Sequence, residues 1–305
     1  MSLITENGFT VKSDLHTLTK TAIDIRMNHN DFGVNLTSLQ PYAIKVPPEE
    51  YSRYHSFPKV VQEIMKSLIF APKRTISLTT MDEILLFLRD LAQNNNREWF
   101  IANKDRYTHV LKVWNAFCES MICELGKSDK DIARLTLRDC TYRIYRDTRF
   151  SNDKTPYKTH FGLFLAPGGK KSMHAGYYFH IGTGGSDGYP HSHMLASGNY
   201  CYEPRTVKLL REDISFGWDE FSRDVLSKAD SSFHVDMEGA LKKVPREYES
   251  DAPYADWMRL KSYCLLTNVD DAFITAPDLV HRVAELFLTT KPFIDYINRA
   301  VDYRE

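Results

Sequence analysis

The chain has 305 residues, 43% hydrophobic, 12% aromatic and 26% charged, with 39 Lys and Arg against 40 Asp and Glu for a formal net charge of −1. That length suits two average domains or one large one. The apolar content excludes a disordered chain, and the charge balance leaves any binding of nucleic acid or anionic membrane to a local patch.

Residues 1–80 hold nine Lys/Arg and seven Asp/Glu, a local +2 that leaves −3 for residues 81–305. Periodicity is weak until Val60–Phe70, where Val60, Val61, Ile64, Leu68 and Ile69 fit one helical stripe. Proline pairs such as Val46-Pro47-Pro48 punctuate the segment. It reads as a loosely ordered N-terminal extension ahead of one domain over 81–305.

Thr80 and Glu83 form a capping box in front of Ile84, Leu85, Phe87, Leu88 and Leu91, which predicts an amphipathic helix. Asn94-Asn95-Asn96 ends it. A second helix starts near Arg97, with Tyr107, Val110, Trp114, Phe117, Met121 and Leu125 as its stripe and Gly126 as a left-handed end. The two make a helical hairpin at the start of the core domain. The period then changes. Tyr142–Phe150, Thr159–Leu165 and Ala175–Ile181 are short, aromatic-rich and bounded by Pro or Gly, which predicts strands. Helices follow over Val207–Ile214 and about 218–227, and residues 229–277 look irregular with a strand or two. Asp278 caps a last helix that Pro292 interrupts before Ile294–Val301. Helices, then strands, then helices argue for an α+β fold, an antiparallel or mixed sheet packed with helices.

The longest apolar runs, such as Ile84–Leu88, are five residues, against roughly 20 for a membrane span. The N-terminus lacks the cationic start and apolar core of a secretory signal. Five scattered cysteines (Cys118, Cys123, Cys140, Cys201, Cys264) suit a reducing interior, hence the cytoplasm or nucleus. Gly168-Gly169-Lys170-Lys171-Ser172 resembles the end of a P-loop, but the earlier Gly is missing and Lys171 stands at the Ser/Thr position. The glycines of 182–188 lack dinucleotide-binding spacing, and Pro190 follows where a helix should open. No cofactor is expected. His191-Ser192-His193, near His180 and His174, could offer imidazoles to a metal, but two loop histidines without further ligands at defined spacing read as exposed polar residues.

The densest chemical signal is residues 138–158, with six cations (Arg138, Arg143, Arg146, Arg149, Lys154, Lys158) and three acids (Asp139, Asp147, Asp153), a local +3. On a strand, Arg143, Tyr145, Asp147 and Arg149 share one face, and Tyr142, Ile144, Arg146, Thr148 and Phe150 the other, largely apolar one. Arg146 among apolar neighbours then needs a carboxylate or carbonyl partner. Two readings stand side by side. One is a clamp for a phosphate or carboxylate ligand by Arg143, Arg146, Arg149, Lys154 and Lys158, with Asp147 or Asp153 as orienter or general base and Tyr157 as donor. The other is an internal ion-pair network. Interleaved Tyr142, Tyr145, Phe150 and Tyr157 also admit an interaction surface for protein or nucleic acid. Without the island, residues 81–305 carry −6, which disfavours long nucleic acid. Arg97 and Lys104 lie seven apart, on one face near the start of the second helix, where anions are favoured.

Phe87-Leu88, Asn95-Asn96-Arg97-Glu98-Trp99-Phe100, Asn103-Lys104 and Tyr107 open a pattern continued by Arg143, Arg146-Asp147, Arg149-Phe150-Ser151, Asp153-Lys154 and Pro156-Tyr157-Lys158. Gly176-Tyr177-Tyr178, Leu210-Arg211, Leu241-Lys242, Val244-Pro245-Arg246 and Tyr248 complete it. Over about residues 81–305 the pattern resembles the family catalogued as domain of unknown function 2461, which implies a domain boundary and no activity. Residues 1–80 lie outside that likeness, and 184–194 look like an insertion.

Overall fold

The structure, a computed structural model, describes residues 2–4, 10–12, 81–149, 151–184 and 192–303. The chain divides into units 1–78 and 79–305. In the first, β1 (Ser2–Ile4) pairs antiparallel with β2 (Thr10–Lys12). The stripe expected over Val60–Phe70 and the Thr80 cap lie outside the described residues.

The second unit opens with α1 (Met81–Gln93), whose Ile84, Leu85, Phe87, Leu88 and Leu91 are all buried, as the periodicity requires. Burying each such side chain stabilises the fold by about 1.5–3 kcal/mol relative to leaving it exposed. Asn94 and Asn95 turn the chain, and Asn96 caps α2 (Arg97–Ala102) by accepting the Trp99 N–H at 2.9 Å. The expected single second helix is two: α2 ends at Asn103, and α3 (Lys104–Gly126) packs back on α1. Gly126 is not a left-handed end. It belongs to α3, and a Cβ there would lie 2.9 Å from the Ala133 Cα in the 3-10 turn Ile132–Arg134, so glycine serves close packing. The short α4 (Leu137–Cys140) follows, with Asp139 accepting from the Thr136 N–H and hydroxyl at 2.9 and 2.6 Å.

Next come β3 (His160–Leu165), β4 (Gly176–Gly182) and β5 (His193–Asn199), then α5 (Pro204–Phe216) and α6 (Trp218–Glu220). The helix expected over 218–227 loosens into a π-turn over Phe221–Val225 and a 3-10 turn over Leu226–Lys228. Then follow β6 (His234–Val235), α7 (Ala255–Arg259), β7 (Tyr263–Val269), α8 (Asp271–Ile274), α9 (Leu279–Thr289) and α10 (Lys291–Asp302). Pro292 opens α10 from its first turn, where a missing N–H costs nothing. The fold is α+β: an antiparallel five-stranded sheet in the order β3-β4-β5-β7-β6, with helices against it.

One sheet face is the core. Phe161 and Phe179 stack against Trp114 of α3 at 5.4 and 6.2 Å, and Tyr177 meets Phe287 of α9 at 5.2 Å. The Ser197 hydroxyl lies 2.6 Å from that of Thr290 between α9 and α10. The sequence suggests no strand where β5 lies, and His193 is not a loop residue. It begins β5, is 1% exposed, and holds Asp271 at 2.8 Å through Nε2 while Nδ1 accepts the Gly182 N–H at 3.3 Å. His191 lies outside the described residues.

Candidate functional site

Tyr142–Phe150 does not form a strand. Single bridges pair Thr141 with Leu163 and Tyr145 with Tyr157. Beside the second, the Arg146 N–H donates to the Pro156 carbonyl at 3.0 Å and the Lys158 N–H to the Ile144 carbonyl at 2.8 Å. The ladder stops there because Pro156 has no N–H and the acids bond local amides instead. Asp153 takes the Thr155 N–H at 2.9 Å, and Asp147 that of Arg149 at 3.3 Å. Alternation survives without the ladder: Arg143, Tyr145, Asp147 and Arg149 are exposed, Ile144 is buried and Arg146 half-buried. Tyr142 departs from the expected apolar face and is exposed, and Phe150 lies outside the described residues.

Arg146 finds the partners its burial demands. Its guanidinium donates to Asp153 at 2.5 Å, to the Thr155 carbonyl at 3.2 Å and to the Thr155 hydroxyl. The Thr155 amide, then Arg146 and the Thr155 hydroxyl, lower the Asp153 carboxyl to about 2. Asp147 takes the fork of Arg149 at 2.9 and 2.6 Å. That fork, with the Arg149 amide, likewise lowers Asp147 to about 2. Carboxyls this acidic are weak bases near neutral pH. Lys154 donates to the Thr148 carbonyl at 2.9 Å.

The Asn turn meets this segment. Asn95 brackets the Tyr157 backbone, donating to its carbonyl at 2.8 Å and accepting its N–H at 3.1 Å. Phe100 stacks on the buried Tyr157 ring with centroids 3.9 Å apart and planes 15° off parallel. Burial pushes the Tyr157 phenol up, with Tyr145 adding to the rise and Arg97 opposing it. Arg97 and Lys104 start separate helices rather than sharing one. The Lys104 ammonium lies 3.5 Å from the Tyr145 hydroxyl and 4.9 Å from the centre of the Tyr107 ring.

A cavity of about 420 Å³ opens on the sheet face opposite the core. Strand alternation sends His160 and Phe164 of β3, Tyr178 of β4, and Ala196 and Gly198 of β5 to that face, and all five line the cavity. His160 and His180 rings lie 4.6 Å apart, and His180 Nδ1 is 3.2 Å from the Tyr178 hydroxyl. Asn199, Tyr200 and Cys201 form the side at the end of β5. On the other side Lys158 and Lys170 lie 5.4 and 5.7 Å from the centre of the Tyr142 ring. Of the residues expected from sequence to clamp an anion, Lys158 alone lines this cavity among the described residues, joined by Tyr142 of the expected interaction surface.

Two further cations come from the run that failed as a P-loop. Gly168 and Gly169 both have φ +77°, where side chains are strained, and a Cβ on Gly169 would lie 2.9 Å from the Asp139 carbonyl. The Lys170 N–H donates to that same carbonyl at 2.8 Å. The Lys170 ammonium donates to the Thr141 carbonyl at 2.6 Å and to that of Arg138. Lys171 is exposed, with no hydrogen bond or ion pair to a described residue. Beyond it, Ser172 lies 2.7 Å from His174 Nδ1, and His174 Nε2 lies 2.7 Å from Asp302, tying the loop to α10. Reading β3 and β4 with period 2 would have placed His160 and Tyr178 on one face, but nothing in the sequence brings the loop lysines beside them.

Among the described residues, no group of three or more His, Cys, Asp or Glu is placed to hold a metal, and no helix is long and apolar enough to cross a membrane. The described cysteines are free thiols. No curated protein and no solved structure matches the chain. A family model described as conserved hypothetical protein DUF2461 matches residues 83–296. That span holds α1 from its third residue, α2 to α9, the whole five-stranded sheet, the ion-paired segment and the first half of α10, so the chain belongs to the DUF2461 family.

Proposed function

We propose that this protein binds a small oxyanion, a phosphate or carboxylate, in the sheet-face cavity. One observation carries the reading: the described residues that line the cavity include Lys158, Lys170 and Lys171 and no carboxylate. Ammonium groups gathered in one concave site favour an anion, and partial enclosure strengthens that attraction over its value in water. Lys170 is preset by its two carbonyls, so ordering it costs little on binding. The Arg146–Asp153 and Arg149–Asp147 pairs have a positioning role in this reading. They shape the loop whose ladder, bracketed by Asn95, delivers Lys158 to the rim.

Calorimetric titration with inorganic phosphate and with acetate at low ionic strength tests this. The wild type should bind at least one of them. Lys158→Met combined with Lys171→Met should weaken that binding tenfold or more, a tenfold change being about 1.4 kcal/mol, and Lys171→Met alone should leave the urea midpoint unchanged. No binding of either anion at millimolar concentration, or equal binding by the double variant, would sink the proposal.

A further inference from the structure

The turn that carries Lys170 and Lys171 also sets a serine against a histidine and a carboxylate. Ser172 Oγ lies 2.7 Å from His174 Nδ1, and His174 Nε2 lies 2.7 Å from Asp302 Oδ1. A carboxylate only accepts, so Nε2 carries the proton shared with Asp302, and Nδ1 of the neutral ring accepts from the Ser172 hydroxyl. Nucleophile, base and orienting carboxylate in this relation are the working parts of a serine hydrolase, which are recognised by geometry and role rather than by chain order. Here the two ring nitrogens have exchanged partners.

The surroundings hold these groups in place. Asn298 and Asp302 lie four apart on α10 and so share a face. Asn298 accepts the Ala175 N–H at 2.7 Å and donates to the Ala175 carbonyl at 3.2 Å, while Asn199 donates to the His174 carbonyl at 3.1 Å. The His174 N–H donates to Ser172 Oγ at 3.1 Å. A hydroxyl oxygen has two lone pairs, so one is left for attack. Ser172 lines the cavity beside Lys170 and Lys171, whereas His174 and Asp302 do not, so Ser172 is the member of the three that meets a ligand there. Of the amides from 172 to 174, only that of Met173 donates to no described residue. The amide after the nucleophile is where such enzymes bind the oxyanion.

We infer that Ser172 is the nucleophile of an esterase site whose substrate is a small ester bearing a second, anionic group. The nucleophile stands on this geometry alone, and the anionic group rests on the oxyanion reading of the cavity, through Lys170 and Lys171. Ser172 Oγ bonds to the ester carbonyl carbon as its proton passes to His174 Nδ1. The bond to the alcohol oxygen breaks, and that oxygen takes the proton from Nδ1. A water then gives a proton to Nδ1 and its hydroxide to the acyl carbon. The bond from the acyl group to Ser172 breaks, and the proton returns to the serine. Ester and water become acid and alcohol, with His174 as base and acid in turn and Asp302 as the positioning residue that orients the ring.

Two measurements on the full chain test the inference. A fluorophosphonate, whose fluoride leaves as a serine oxygen bonds to phosphorus, should label the wild type at Ser172 by peptide mass mapping. Nitrophenolate release should show turnover of p-nitrophenyl acetate and, at about tenfold higher kcat/KM, of the monoanionic p-nitrophenyl succinate. Ser172→Ala should abolish both label and turnover. His174→Gln should lower kcat about a hundredfold or more, and Asp302→Asn should lower kcat with KM unchanged, which a mere tie between the turn and α10 would not do. Because Ser172→Ala also removes a contact within the turn, labelling of the wild type decides the nucleophile whether or not that variant folds. No label at Ser172, or turnover by Ser172→Ala equal to that of the wild type, overturns the inference and leaves the oxyanion reading to its own titrations. Label at Ser172 with equal kcat/KM for the two esters keeps the nucleophile and strikes the anionic substrate.

Discussion

Two basic regions of this molecule lie next to each other and are built in opposite ways. Along 143–155 every acid has its base: Asp153 holds Arg146 and Asp147 holds Arg149. Around the sheet-face cavity Lys158, Lys170 and Lys171 collect without a carboxylate in the described lining. The first region is the more conspicuous in sequence, because its charges are dense and contiguous. The second is where we place the ligand, because its three ammonium groups gather in one concave site. Charge density along a chain records composition, whereas binding depends on which charges fold against an opposite.

The largest effect that would sharpen this contrast is on stability. Phe100 is 2% exposed and stacked on Tyr157, so Phe100→Ala should cost about 3–5 kcal/mol in urea unfolding. A loss below about 1 kcal/mol would show that the stack does not anchor the paired segment to the helices.

An intermediate effect lies in pH. Asp147 and Asp153 titrate near 2 when folded, against 3.8 without partners. Their folded values are lowered, so what the two pairs contribute is complete above about pH 4 and is lost as pH falls towards 2. Carboxyl chemical shifts should therefore titrate near 2, with amide exchange over 146–155 rising in the same window. Midpoints near 4 would break the distinction between the paired segment and an ordinary exposed loop.

The smallest effect belongs to Arg149, 76% exposed in its side chain and paired at the surface. Arg149→Ala should leave the urea midpoint within error, as exposed pairs contribute little, and should leave phosphate or acetate affinity unchanged. A tenfold loss of affinity would move the ligand site onto the loop and erase the comparison.

Much of the fold is legible in the residues. The buried stripe of α1, the Asn turn after it and the strands β3 and β4 follow from period, caps and punctuation. These are local properties, set by neighbours within a few residues. Strand β5 is not legible in the sequence because His193 to Gly198 are all buried, so the strand shows no polar alternation. Tyr142–Phe150 has strand composition and alternating burial, yet local side-chain bonds and Pro156 limit its ladder.

The sequence by itself determined an α+β domain of the DUF2461 type, its helical hairpin, and an arginine that needs a partner. Only the tertiary structure decided that this partner is Asp153, that Asn95 reaches across to Tyr157, and that the lysines of a failed P-loop stand beside Lys158. The reason is physical. Periodicity and capping act through the nearest turns of chain, but the neutralisation of one charge by another depends on distance in space, which the sheet register and the Gly168-Gly169 turn set together.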